Sequence, residues 1–153
     1  MSKSFLNLVA IVLVAMGFVA CGSDDKLSAS DRELLSSAKG YLKGVKYQLK
    51  QGANVNAKDK NGWTALIFCI DDENTYDSVC EYLIEQGADV NVKTKSGWTP
   101  LMFAAEKNRR GLVETLLKKG ADINAKNKNG YTAVDLAGHL TKGILYEAAG
   151  ISE

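Results

Sequence analysis

Hydrophobic and polar positions follow two different rules along this chain. From Phe5 to Ala20 the residues are apolar almost without a break, interrupted by Asn7. Beyond Leu34 the apolar positions come instead in short amphipathic stretches at helical spacing, each ended by a glycine. Gly52, Gly87 and Gly120 stand at three such ends, where tolerance of positive φ stops a helix. Thr64, Thr99 and Thr132 stand at helix starts as N-caps, with Pro100 at the first helical position, where its missing N–H costs nothing. Ser30-Asp31-Arg32-Glu33 reads as a capping box that opens the first helix. The pattern predicts short helices in pairs, each pair burying one face and needing neighbours for the rest.

The punctuation is periodic. Gly52-Ala53-Asn54-Val55-Asn56-Ala57-Lys58 recurs as Gly87-Ala88-Asp89-Val90-Asn91-Val92-Lys93 and as Gly120-Ala121-Asp122-Ile123-Asn124-Ala125-Lys126, at spacings of 35 and 33 residues. A second motif runs in phase: Gly62-Trp63-Thr64-Ala65-Leu66, Gly97-Trp98-Thr99-Pro100-Leu101 and Gly130-Tyr131-Thr132-Ala133-Val134. Leu83-Ile84 and Leu116-Leu117 each stand three residues before a Gly-Ala. Period and motif together resemble the ankyrin repeat, over about Leu34 to Ile151. The resemblance implies an all-α solenoid of stacked helix-turn-helix units with short β-hairpin-like turns.

The units divide as a partial N-terminal repeat (31–58), full repeats (59–93 and 94–126) and a C-terminal cap (127–153). Four units sit near the minimum for a stable stack, so the ends are expected to fray first. The family's signature His is replaced by Ile67, Met102 and Asp135. That slot ties neighbouring repeats together by hydrogen bonds, so apolar packing is expected to carry more of the cohesion here.

The apolar run at the start is too short for a bilayer span, which needs about 20 residues, and with Lys3 ahead of it suits a secretory signal better. Phe18-Val19-Ala20-Cys21 resembles the lipobox of bacterial lipoproteins. The resemblance implies cleavage after residue 20, acyl chains on Cys21 and a polar tether over 21–30. Multiple acyl chains hold a protein on a membrane far more firmly than one. Gly22 stands where an Asp signals inner-membrane retention, which points to the outer membrane, facing the periplasm.

Composition narrows the chemistry. The chain has 153 residues, one domain's worth, with 19 Lys+Arg against 18 Asp+Glu. Residues 1–20 carry Lys3 alone among charges, leaving 18 of each sign in the mature chain. That balance argues against a nucleic-acid partner. Three Cys are too few for a disulfide scaffold, and one His (His139) argues against a His-rich metal site. There is no phosphate-cradling Gly loop, paired Cys-x-x-Cys or nucleophile elbow. The expectation is no enzyme, no metal, no cofactor and no small-molecule substrate.

Three places stand out. Each hairpin carries Lys-x-Lys-x-Gly-aromatic-Thr, as Lys58/Lys60/Trp63, Lys93/Lys95/Trp98 and Lys126/Lys128/Tyr131. Stacking would align them in a ridge along the concave edge, the usual partner-binding surface of ankyrin domains. Trp and Tyr are hot-spot residue types, so the ridge is expected to hold an acidic patch of another protein. A rival reading has the aromatics packing against a neighbouring repeat. Second, Cys69 and Cys80 point into the helix layer, either as small core residues or, in an oxidising periplasm, as a disulfide. Third, the second unit has an acidic insertion, Asp71 to Asp77, read as a solvent-side loop tolerated at the surface.

The expected function is a membrane-tethered, monomeric interaction module that positions, protects or inhibits a periplasmic protein. The alternative is binding of an anionic envelope polymer or lipid headgroup by the lysines.

Overall fold

A computed structural model describes residues 27–151; the signal-like segment and Cys21 lie outside the described residues. Among the described residues eight helices follow in chain order: α1 (Ala29–Ser37), α2 (Leu42–Lys50), α3 (Ala65–Asp71), α4 (Asp77–Glu85), α5 (Pro100–Glu106), α6 (Arg110–Lys118), α7 (Ala133–Leu136) and α8 (His139–Ala149). Among the described residues there is no strand. Each helix packs against its hairpin partner. Helices α1, α3, α5 and α7 form one layer, and α2, α4, α6 and α8 the other. This is the expected solenoid.

The helix starts follow from their caps. Thr64, Thr99 and Thr132 adopt extended backbone and accept bonds from the backbone N–H of Ile67, Met102 and Asp135. Pro100 occupies the first turn of α5. At α1 the structure corrects the sequence reading by two residues. The cap is Ser28, and Asp31 closes the box by accepting from the Ser28 N–H. Asp31 also accepts from Asn54 N–H at 2.7 Å. That long-range bond needs Asp31, and not Glu33, at the third helical position.

One continuous core fills the space between the layers. Leu34, Leu66, Ile67, Ile70, Leu83, Leu101, Met102, Leu112, Leu116 and Leu145 are its largest fully buried members. Ile67 and Met102 thus turn the missing His slots into core. Asp135 stays exposed and serves the α7 cap. Polar ties between units nonetheless exist, one residue set away. Asn56 donates to Gly87 O and accepts from Asp89 N–H. Asn91 does the same with Gly120 O and Asp122 N–H. Cohesion therefore rests on an asparagine ladder as well as apolar packing.

Candidate functional site: the hairpin edge and its aromatic strip

The hairpin tips are held in register by backbone bonds. Asp59 N–H donates to Trp63 O within the first tip, and Asn127 N–H to Tyr131 O within the third. Between tips, Lys95 N–H donates to Asn61 O at 2.8 Å and Lys128 N–H to Ser96 O at 3.0 Å. The approach is close enough to demand glycine. A Cβ on Gly97 would lie 3.1 Å from Asn127 Cα, and Gly97 has φ +82°. Lys58, Lys60, Lys93, Lys95, Lys126 and Lys128 are all exposed along this edge.

The aromatics divide. Trp63 is half-buried and meets Phe68 at 5.0 Å and Phe103 at 5.2 Å between ring centroids. Trp98 meets the same Phe103 at 5.0 Å. The four rings form a strip, Phe68–Trp63–Phe103–Trp98, that crosses from one unit to the next. These separations suit tilted and edge-to-face attraction. Lys39 caps the strip, its ammonium 5.1 Å from the Phe68 centroid. Tyr131 stands apart, 51% exposed. The two tryptophans thus serve packing between repeats and present only part of each ring to solvent. Phe68 and Phe103 escaped the sequence reading, although their 35-residue spacing is in phase with that of Trp63 and Trp98.

Cys69 and Cys80 are fully buried, and the structure joins them as a disulfide between α3 and α4, with Cα atoms 5.6 Å apart. Just beyond Cys69 lies the acidic insertion, which is not a loose surface loop. Arg109, from the next unit, reaches into it. Its Nη1 donates to Cys69 O at 2.9 Å and Ile70 O at 3.1 Å, and its Nη2 to Thr75 O at 2.6 Å. The same guanidinium pairs with Asp77. Lys107 adds ion pairs with Asp71 and Glu73. Asp72 accepts from the Thr75 hydroxyl and from Asn74 N–H, and these bonds hold its carboxyl below the usual carboxylate range. Its side chain serves the loop itself. Among the described residues no group of three His, Cys, Asp or Glu gathers as a cation site. His139 is exposed at the start of α8.

The family model for ankyrin repeats, in three copies, matches residues 34–127. No curated protein matches the chain.

Proposed function

We propose that this chain, a member of the ankyrin-repeat family, is a lipid-anchored module that binds an acidic patch of a periplasmic protein through its hairpin edge. The family is a protein–protein interaction scaffold, and that much comes with membership. The finer reading rests on one observation. Six exposed lysines lie on hairpin tips held in register by backbone bonds, and Trp63 and Trp98 of those tips join a strip of four aromatic rings. Such an edge needs little ordering on binding, so less of the contact energy is lost. The lysines supply steering and choice of partner, and the ring edges and Tyr131 supply apolar contact.

Two further features support the anchored, exported state. Cys21 follows a lipobox-like segment, and the buried Cys69–Cys80 bond belongs to an oxidising compartment such as the periplasm. The outer-membrane assignment rests on Gly22. Among the described residues no helix is long and apolar enough to cross a membrane.

The test is charge reversal at Lys58, Lys60, Lys93 and Lys95, read by capture of partner from the envelope of the protein's host. Capture is expected to fall by about tenfold or more through loss of rim charges, with the melting temperature unchanged. Undiminished capture would overturn the assignment. Tryptophan-to-alanine variants answer a different question here. Trp63 supports two rings, so its loss is expected to cost about 3 kcal/mol of stability.

A further inference from the structure

The basic residues are unevenly spread. Between Leu34 and Lys58 the chain has five lysines and no carboxylate. Three of them, with one tyrosine, lie on a single face of α2. Lys43, Lys46, Tyr47 and Lys50 occupy positions i, i+3, i+4 and i+7, and all four are exposed. The opposite face, with Val45 and Gln48, is buried. Tyr41, at the start of the helix, is 75% exposed and Tyr47 is 53% exposed.

The next two helices of the same layer do not repeat this stripe. The corresponding positions of α4 are Ser78, Glu81, Tyr82 and Glu85, and those of α6 are Gly111, Glu114, Thr115 and Lys118. Among these three helices the lysine stripe therefore belongs to α2 alone, in the terminal unit. Within the stripe, Lys46 lies with its ammonium 4.8 Å from the Tyr82 ring centroid, and no carboxylate shares the α2 face.

That unit is also the one nearest Cys21. Six chain steps separate Cys21 from Leu27, a reach of about 20 Å at full extension. Packed helices are about 10 Å apart, so each later unit stands roughly that much farther along the stack. Screening in physiological salt leaves only about 8 Å of useful range to an exposed charge. Only the first unit combines basic charge with a tether short enough to keep it at the surface. Lysine paired with interfacial tyrosine is a composition suited to an anionic bilayer surface.

We infer that the exposed face of α2, through Lys43, Lys46, Lys50 and Tyr47, lies on the anionic surface of the membrane that holds Cys21. The inference rests on the lipid-anchor reading. Multiple acyl chains already retain the protein, so the stripe sets orientation and not residence. Because α2 belongs to the layer of α4, α6 and α8, laying its exposed face down turns the other layer, α1, α3, α5 and α7, away from the bilayer.

The experiment couples the mature chain through its Cys21 thiol to a maleimide lipid, since Cys69 and Cys80 are bonded to one another. The vesicles are phosphatidylcholine, alone or mixed with phosphatidylglycerol. Acetylation rates of individual lysines are then read by mass spectrometry. On the anionic vesicles Lys43, Lys46 and Lys50 are expected to react about fivefold slower or more, with rates restored by high salt, as surface attraction of lysines requires. Lys93, Lys95, Lys126 and Lys128 are expected to be unaffected. Equal rates on both vesicles, or protection of the hairpin lysines instead, would overturn the inference. The coupling is chemical, so this result is independent of lipidation in cells. That premise is tested separately, by metabolic labelling of Cys21 with an alkyne fatty acid.

Discussion

At the residue scale, Arg109 illustrates what distance along the chain conceals. Its bonding partners lie 32 to 40 residues earlier, and nothing in the local pattern around it marks it out. The threonine caps, by contrast, act within three residues, so their role is readable from position alone. Arg109 satisfies the last carbonyls of α3 and the carboxylate of Asp77 in a pocket that leaves its side chain 13% exposed. Arg109→Leu is expected to cost about 3 kcal/mol, because several acceptors lose their donor together. Urea unfolding gives the size, and amide exchange is expected to rise across residues 71–77. The paired cysteines make a second residue-scale prediction. Alkylation without reductant is expected to leave Cys69 and Cys80 unmodified, and Cys80→Ser to lower stability by up to about 3 kcal/mol through loss of a short-loop constraint. Both readings of these residues stood open in the sequence. Helical position shows that they face inward but not whether their sulfurs meet.

At the element scale, helix existence was readable and helix edges less so. The Gly-x-Thr phase marks the starts of α3, α5 and α7 correctly because each cap is a local hydrogen bond. The capping-box reading at Ser30 fails at α1 because Ser28 and Ser30 offer similar caps, and the choice is made by Asp31 reaching Asn54. The short α7 relies most on its cap. Asp135 accepts from the Thr132 backbone N–H and the Thr132 hydroxyl, both at 2.7 Å, and these bonds lower its pKa. A carboxyl with a depressed folded pKa stabilises above its unfolded pKa, and loses that contribution as pH falls through the folded one. The cap is therefore expected to loosen as pH drops below about 4, ahead of the central units. Thr132→Ala is expected to cost about 1 kcal/mol, and Asp135→Asn to remove that acid sensitivity of α7, as followed by amide exchange over residues 132–137.

At the scale of the whole molecule, cohesion is a sum of unit interfaces. The sequence shows the motif Gly-Ala-Asn/Asp-x-Asn three times, and its last asparagine is the residue that stitches units together. Asn56 and Asn91 each bind the next copy of the motif, at Gly87 and Asp89 and at Gly120 and Asp122. Asn91→Ala is expected to cost about 1 kcal/mol, since the site is exposed, and to broaden the unfolding transition as the last units uncouple. The sequence placed all six hairpin lysines on one edge, since repetition carries register. It left the tryptophans open between partner contact and repeat packing, because their shared neighbour Phe103 belongs to one unit and serves both.

The central claim, that the hairpin edge binds a protein, is tested most directly by photo-crosslinking in cells from position 131. Tyr131 is exposed on that edge and takes no part in the ring strip, so a photoreactive residue there leaves the fold intact. Tyr47, exposed on α2, is the control. The account predicts one dominant protein adduct from position 131 and not from position 47. No protein adduct from position 131, in cells where the chain is expressed and membrane-bound, would contradict it.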